Sequence, residues 1–137
     1  MPPIFVFVDT SAWYALLDRR DRNHPAAVRL VQEYGCPFVT STYVFDETVT
    51  LVRAHLGHAT AVRFGDRLWK EEIARLVRVS SEDEMRAWAI FGHFADKGFS
   101  YTDCTSFALM ERLHIDSAFT FDAHFVQYGR FVNLPTA

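Results

Sequence analysis

The sequence predicts an α/β fold of three layers, α/β/α, with a central parallel sheet and helices on both of its faces. Short apolar segments rich in β-branched and aromatic residues alternate along the chain with longer segments of helical periodicity, an alternation typical of parallel sheets. The first segment, "IFVFV" at 4–8, is continuously apolar, as expected for a strand buried on both faces. The length of 137 residues suits a single domain covering 1–137.

In the first half of the chain, each predicted strand is followed by a pair of predicted helices. Pro25 suits the first turn of the second helix. Gly35 and Gly57 suit helix ends, because glycine readily adopts the backbone conformation found there. The predicted elements are a strand at 4–8, helices at 11–18 and 26–35, a strand at 37–41, and helices at 42–57 and 58–72.

The second half continues the alternation to the C-terminus. Ser81 and Glu84 have the spacing of a capping box at a helix start, and Gly98 is predicted to end that helix. We expect the three tryptophans to lie in the core, because each occurs in an apolar stretch: Trp13, Trp69 and Trp88. The predicted elements are a strand at 74–79, helices at 80–98 and 100–114, a strand at 117–121, a helix at 122–129 and a strand at 130–134.

Composition excludes several classes of protein. The chain has two cysteines and no C-x-x-C pair, so neither a disulfide framework nor a zinc knuckle is expected. The start of the sequence has no basic region and no small-residue cleavage site of a signal peptide. No apolar run reaches the roughly 18–20 residues of a membrane span. We therefore expect a cytoplasmic protein without membrane contact.

Four acidic residues come from four separated segments and are predicted to meet at one edge of the sheet. Asp9 and Asp122 each follow a predicted strand directly, and Asp103 lies in the first turn of its helix. Glu47 lies in the first half of the helix that follows the second strand. In parallel α/β sheets, functional groups collect outside the carboxyl ends of the strands.

Each acid also has a purely structural interpretation. Asp9 and Asp122 could cap the helices that follow them, Asp103 could form a capping box with Ser100, and Glu47 could face solvent. The joint pattern favours a cation, because carboxylates gathered at a poorly solvated edge repel one another. Oxygen ligands without paired histidine or cysteine suit Mg²⁺ or Mn²⁺ better than zinc. The six histidines show no metal-ligand spacing and are expected to cap, pack or face water. Cys104 lacks the partners that a nucleophilic thiol needs.

Four motifs, "FVDTSAW", "DETVTLVRAHLG", "SYTDCTSFALMERL" and "AFTFDAHF", resemble the successive acidic motifs of PIN domains. The resemblance extends over nearly the whole chain and is closest to the VapC-type toxins of toxin–antitoxin pairs. It implies a Mg²⁺-dependent endoribonuclease, with Mn²⁺ able to substitute and one or two ions bound. The implied catalytic and metal-binding acids are Asp9, Glu47, Asp103 and Asp122, and Ser11 is the implied supporting residue.

The same resemblance implies an RNA substrate, a small antitoxin whose basic C-terminal segment covers the acidic edge, and a homodimer. The net charge of −3 does not conflict with RNA binding: of the 17 acidic residues four belong to the site, which leaves 13 against 14 Lys and Arg. We expect phosphate contacts from the loop after the first helix, at Arg19, Arg20 and Arg22.

Several alternatives remain open at the level of sequence. One alternative is a PIN-like module that binds RNA or protein without catalysis, and another is a PIN nuclease that processes RNA without being a toxin. A phosphatase of the haloacid dehalogenase type needs an acid where Ser11 stands, and a response-regulator receiver needs an acidic pair near the first strand. Asp46 competes with Glu47, because helical periodicity places the two on opposite flanks of the apolar face. The family pattern favours Glu47.

Overall fold

A computed structural model of the protein describes residues 5–35 and 37–136 and contains one five-stranded parallel sheet flanked by helices. This confirms the predicted α/β/α architecture. The strands are β1 (Val6–Val8), β2 (Phe38–Ser41), β3 (Arg75–Val77), β4 (Ser117–Phe119) and β5 (Val132–Leu134). The predicted strand at 4–8 is shorter than expected, and Ile4 lies outside the described residues.

Seven helices connect these strands within the described part of the chain. Most predicted helices are present, with ends that differ by a few residues. The helices are α1 (Thr10–Leu17), α2 (His24–Glu33), α3 (Thr42–Leu56), α4 (His58–Trp69), α5 (Ser81–His93), α6 (Tyr101–Leu113) and α7 (Ala123–Tyr128). None of the helices in residues 5–35 and 37–136 combines the length and the apolar character that crossing a membrane would require.

The strand order is β3-β2-β1-β4-β5, with every neighbouring pair parallel. The chain therefore moves outward from β1 to β2 and β3, and then returns to the other side of β1 for β4 and β5. Such a reversal leaves a crevice between the two inner strands at their carboxyl ends, where open α/β sheets bind ligands. Here the crevice lies between β1 and β4, and Asp9 and Asp122 follow these strands.

The core consists of the two central strands and the faces of the helices that pack on them. Every residue of β1 is buried, and Ala118 and Phe119 in β4 are also buried. Helix α6 contributes an unusually long buried stretch, from Asp103 to Met110, so this helix is enclosed on most sides. A helix buried in this way holds its first turn rigidly against the sheet edge, which positions Asp103.

Two predictions about α5 are wrong. The capping box forms between Ser80 and Asp83, one residue before the predicted pair of Ser81 and Glu84. Asp83 is favoured because its carboxylate also receives two hydrogen bonds from Arg112 of α6, at 2.7 and 2.8 Å. The helix ends at His93 instead of continuing to Gly98.

The expectation that all three tryptophans are core residues holds only for Trp13. Trp13 is buried and donates its indole N–H to Thr40 Oγ1 at 3.3 Å. Trp69 and Trp88 are 57% and 67% exposed. Trp69 lies at the end of α4 and Trp88 on the outer face of α5, so neither faces the sheet although both occur in apolar stretches.

Candidate active site

Asp9 ends β1 and caps α1, and its side chain is almost completely buried. Its Oδ2 atom accepts hydrogen bonds from the backbone N–H of Ser11 (3.4 Å), from Ser11 Oγ (3.0 Å) and from Thr120 Oγ1 (3.2 Å). The Ser11 and Thr120 hydroxyls also accept the backbone N–H groups of Phe121 and Asp122. This network ties the segment that follows β4 to the end of β1. Ser11 therefore lies where a supporting residue was expected.

Asp103 lies in the first turn of α6 and forms the capping box with Ser100 that the structural interpretation predicted. Ser100 N–H donates to Asp103 Oδ2, and Asp103 N–H donates to Ser100 Oγ, each at 3.0 Å. The Nδ1 atom of His124 lies 2.7 Å from the same Oδ2 atom. Asp103 is thus held by its own helix and by the segment after β4.

Asp122 caps α7, and its Oδ1 atom accepts the backbone N–H of His124 at 2.9 Å. The Nδ1 atom of His124 lies 3.3 Å from the same oxygen. Asp103, Asp122 and His124 each offer an atom that lies within 4.8 Å of the others, a separation at which a metal ion can be shared.

Capping and metal binding are compatible at Asp103 and Asp122, because they use different oxygens. Every hydrogen bond described for Asp103 ends on Oδ2, and every one for Asp122 ends on Oδ1. Among the described residues, no donor bonds to Asp103 Oδ1 or Asp122 Oδ2, and the carboxylate of Asp9 also accepts the backbone N–H of Thr10. A set of free carboxylate oxygens fits a hard divalent cation.

Burial and mutual repulsion disfavour the ionised forms of these carboxylates, and a bound cation would reduce both effects. Burial, together with the negative charges of Asp103 and Asp122, raises the pKa of Asp9 to about 7 in spite of the hydrogen bonds that lower it. Burial also raises the pKa of Asp103, and the charge of Asp122 adds to the effect. Both shifts show that these carboxylates are difficult to ionise together without a positive charge nearby.

Glu47 lies outside the contacts that join the other three acids. Its charge is not among those that raise the pKa of Asp9 or Asp103. It is half-buried on α3 next to Thr48, whose hydroxyl donates to Thr10 Oγ1 at 3.1 Å beside Asp9. Asp46 is exposed, which agrees with the expectation that it is the solvent-facing member of the pair.

Sequence reasoning missed two residues of this site. The sequence predicts Thr120 only as part of a strand, and His124 only as a histidine that caps, packs or faces water. One signal points to His124: it stands two residues after Asp122, as Ser11 stands two residues after Asp9. In the structure, each of these side chains contacts the acid two residues before it.

The three arginines expected to contact RNA are exposed, but they lie at the far end of α1 from Asp9. Arg19, Arg20 and Arg22 occupy the turn between α1 and α2. Helix α1 has eight residues, which corresponds to a length of about 12 Å. These arginines can therefore reach only a part of a nucleic acid that extends well beyond the acids.

Cys104 and the main apolar cavity do not belong to this site. Cys104 is buried, and burial together with the charge of Asp103 raises its pKa to about 11, so a thiolate is disfavoured. A cavity of about 510 Å³ is lined mainly by apolar side chains, including Trp13 and Phe119, with Arg63 and Arg67 beside them. None of the four acids lines this cavity, so it offers no ligands for a cation.

Comparisons with known proteins agree with this geometry. The family model described as "PIN domain" matches residues 6–130. The chain is 34% identical to the 23S rRNA-specific endonuclease VapC20 of Mycobacterium tuberculosis, over 90% of this chain and 94% of the relative. It is 27% identical to a VapC ribonuclease of Archaeoglobus fulgidus, over 86% of this chain and 77% of the relative.

Solved structures show the same relationship. The crystal structure of M. tuberculosis VapC20, described as a sarcin-ricin loop cleaving toxin, has a TM-score of 0.86 and 33% identity, covering 91% of this chain and 95% of the other. FitAcB from Neisseria gonorrhoeae has a TM-score of 0.71 at 12% identity, covering 93% and 95%, which shows a shared fold alone. On the family model and on the identity with VapC20, the chain belongs to the PIN domain family.

Proposed function

We propose that this protein is a divalent-metal-dependent endoribonuclease that hydrolyses RNA phosphodiester bonds and acts as the toxin of a type II toxin–antitoxin pair. The observation that carries the proposal is the set of three acids at the crevice between β1 and β4, each fixed by hydrogen bonds to one of its oxygens. VapC20, whose substrate is 23S rRNA, supports RNA as the substrate class.

In this proposal Asp9 and Asp103 are the principal ligands of a Mg²⁺ ion, for which Mn²⁺ can substitute. Asp122 and Glu47 complete the site, either directly or through water, and one or two ions bind. When bound, the cation would neutralise charge on the phosphate and lower the pKa of the attacking water. Ser11 supports the site by donating its hydroxyl to Asp9 Oδ2 at 3.0 Å.

The remaining contacts with the substrate come from outside the acidic centre. Arg19, Arg20 and Arg22 are exposed and bind phosphates upstream or downstream of the scissile bond. Such contacts supply affinity without sequence specificity. Their spacing from Asp9 requires an RNA segment that spans the length of α1.

The direct test is incubation of the purified protein with 23S rRNA and with an unrelated RNA, in Mg²⁺, in Mn²⁺ and in excess EDTA. Cleavage that requires the cation supports the proposal, and undiminished cleavage in EDTA contradicts it. Binding of Mn²⁺ and RNA without cleavage would instead identify a non-catalytic module.

The toxin part of the proposal concerns a protein partner. A small antitoxin with a basic C-terminal segment would cover the acidic edge, and both proteins would act in the cytoplasm with their RNA substrate. Expression of this chain alone should stop bacterial growth, and co-expression of the neighbouring reading frame should restore it. Harmless high-level expression of a verified active enzyme would favour a nuclease of RNA processing.

The homodimer is proposed to form through α5. The outer face of this helix exposes Met85 (74%), Trp88 (67%) and Phe91, with the small residues Ala89 and Gly92 beside them. This spacing makes a continuous apolar stripe along the helix. Monomeric proteins seldom leave such a stripe in water.

The charges at the two ends of α5 favour a second copy over RNA as the partner. Glu82 and Glu84 lie in its first turn, where they would repel phosphates, and His93 lies in its last turn. An antiparallel pair of α5 helices with Trp88 at the two-fold axis places Met85 of one copy against Phe91 of the other. The same pairing brings the acidic end of each helix to the His93 end of its partner.

A further inference from the structure

The side chain of His124 contacts the carboxylates of two site acids at once. Its Nδ1 atom lies 2.7 Å from Asp103 Oδ2 and 3.3 Å from Asp122 Oδ1. Its own backbone N–H also donates to Asp122 Oδ1, at 2.9 Å. The imidazole therefore bridges the start of α6 and the start of α7.

The oxygens that His124 contacts are the ones already held by the protein. Asp103 Oδ2 also accepts the N–H of Ser100, and Asp122 Oδ1 is the oxygen that caps α7. A ligand nitrogen would instead approach the space shared by the free oxygens, Asp103 Oδ1 and Asp122 Oδ2. The contacts thus correspond to an Nδ1–H donor behind the carboxylates and not to a metal ligand beside them.

The ring is fixed from behind by its surroundings. Phe99 packs edge-on against it, with ring centroids 5.6 Å apart. A methyl group built at Gly98 would lie 3.4 Å from His124 Nε2, so the ring rests directly against the backbone there. An imidazole confined in this way can define the separation of two carboxylates.

We propose that His124 is a positioning residue, whose Nδ1–H holds Asp103 and Asp122 at the spacing that a divalent cation requires. The inference rests on the proposed metal site. The physical reason is that the buried carboxylate of Asp103 and the half-buried carboxylate of Asp122 repel each other before the cation arrives, and a shared donor keeps them in place. Outer hydrogen bonds of this kind are worth about 10- to 100-fold in metal affinity.

Three substitutions at this position separate the Nδ1 role from other roles. His124→Asn places an amide N–H near the position of Nδ1, His124→Gln places one near Nε2, and His124→Ala removes both. The readout is the Mn²⁺ dissociation constant from titration calorimetry, with the folded state checked by circular dichroism. His58→Ala on the exposed start of α4 is the matched control and should leave Mn²⁺ affinity unchanged.

The Ala and Gln variants should bind Mn²⁺ about 10- to 100-fold more weakly than the wild type, and the Asn variant should recover most of that loss. Unchanged affinity in the Ala variant would overturn the inference, and so would equal losses in the Asn and Ala variants. If the Ala variant does not fold, the comparison of Asn with Gln decides in the same way. Wild-type protein that does not bind Mn²⁺ would also overturn it.

Imidazole ¹⁵N spectra provide a second readout that does not depend on RNA cleavage. With saturating Mg²⁺, the spectrum of the full chain should show His124 protonated on Nδ1. A bare Nδ1 that becomes a ligand when Mg²⁺ is added would overturn the positioning role. A protein that binds cations as described but cleaves no RNA would refute the proposed function and leave this inference intact.

Discussion

At the scale of single residues, the carboxylates of the candidate site combine two roles. They cap helices, and they are the proposed ligands of a cation. One oxygen of each of Asp9, Asp103 and Asp122 accepts a backbone N–H group at the start of a helix. Helix capping fixes the rotation of each carboxylate, so a cation meets ligands that are already oriented. The capping interpretation and the metal interpretation of these residues therefore describe the same geometry.

The raised pKa of Asp9 predicts how the stability of the metal-free protein depends on pH. A carboxyl group whose pKa is 3.8 in the unfolded chain and about 7 in the folded one binds its proton more tightly when folded. The stability that this carboxyl group contributes to the fold is fully present below about pH 4 and is lost as pH rises through 7. In EDTA, the free energy of unfolding should fall across this window, by up to about 4 kcal/mol from Asp9 alone. Asp103 acts in the same direction.

Asp9→Asn is the matched variant for this measurement, because asparagine caps helices as well as aspartate does and does not titrate. Urea unfolding across the window should show a flatter pH dependence in Asp9→Asn than in the wild type. Saturating Mg²⁺ should also flatten the wild-type curve. If the free energy of unfolding in EDTA depends on pH in the same way in Asp9→Asn and in the wild type, Asp9 is not the group whose raised pKa causes the dependence.

Measurements of RNA cleavage can decide whether Asp46 or Glu47 is the acid that belongs to the site. We expect Glu47→Gln to reduce RNA cleavage by at least about 10²-fold, the effect of losing a positioned catalytic group. Asp46→Asn should have little effect, because Asp46 is exposed while Glu47 is half-buried beside the Thr48–Thr10 contact. Both variants are assayed at saturating Mn²⁺. A dead Asp46→Asn variant would show that the motif was aligned one residue out of register.

Sequence patterns predict the four acids and Ser11 as site residues, but not Thr120 and His124, which contact these acids. Asp9 is predictable because it directly follows a buried strand, and Asp122 because it follows the apolar segment that ends at Phe121, although β4 itself ends at Phe119. Thr120 and His124 are not predictable, because a threonine in a strand-like segment and an isolated histidine are common without function. The role of Thr120 depends on the pairing of β1 with β4, which brings it to Asp9, 111 positions away. The role of His124 depends on the contact between the segment after β4 and the first turn of α6.

At the scale of elements, α5 and α6 are joined by an ion pair between buried Asp83 and partly exposed Arg112. Burial alone would raise the pKa of Asp83, but the hydrogen bonds from Arg112 and Ser80 hold it below its usual value. Arg112→Met leaves a buried carboxylate without its partner. It should reduce the free energy of unfolding by about 2–4 kcal/mol at neutral pH, slightly below the range for fully buried pairs because Arg112 is partly exposed.

The loss of unfolding free energy caused by Arg112→Met should be smaller at acidic pH. A carboxyl group with a lowered pKa stabilises the fold above its unfolded pKa, and this stability is lost as pH falls through the folded value. Arg67→Met, which breaks an exposed ion pair with Glu72, is the control and should cost less than about 1 kcal/mol. Two outcomes would argue against a stabilising role for the Asp83–Arg112 ion pair. One is an equal loss of unfolding free energy in the two variants, and the other is a loss in Arg112→Met that is as large at about pH 3 as at about pH 7.

The same ion pair explains why the start of α5 was mispredicted. The segment "SSEDE" offers two capping boxes one residue apart, and local chemistry cannot choose between them. Arg112, 29 residues further along the chain, donates a hydrogen bond to Asp83 and thereby favours the box that contains Asp83. The end of α5 was mispredicted because the apolar stretch continues beyond His93, where Phe94 packs on Phe99 and Tyr128 outside the helix.

At the scale of the whole molecule, the exposed stripe on α5 predicts the oligomeric state. Trp88→Glu places a charge at the centre of the proposed interface and should convert a dimer to a monomer in analytical ultracentrifugation. Val62→Glu, at an exposed apolar position on α4, is the control and should leave the dimer intact. A wild-type monomer, or a dimer that survives Trp88→Glu, would contradict the interface.

The fold class followed from the alternation of strands and helices, but the strand order did not. Local patterns show which segments are strands, whereas the order β3-β2-β1-β4-β5 depends on which side of β1 the chain returns to. The exposed position of Trp88 was missed for a related reason. Helix α5 has an apolar inner face, with Ala87 and Ile90 buried, and a second apolar face outside, so composition alone does not show which face meets the core.

The central claim is that the acids at the β1–β4 crevice bind the cation that makes this protein a ribonuclease. The most direct test is the single-turnover rate of RNA cleavage by wild-type protein and by Asp103→Asn, each titrated with Mn²⁺. The variant keeps the shape and the capping bond of Asp103 but removes one ligand charge. The account predicts that it folds, is at least as stable as the wild type without metal, and cleaves at least about 10²-fold more slowly. A folded Asp103→Asn variant that cleaves RNA at the wild-type rate and with the wild-type Mn²⁺ dependence would contradict it.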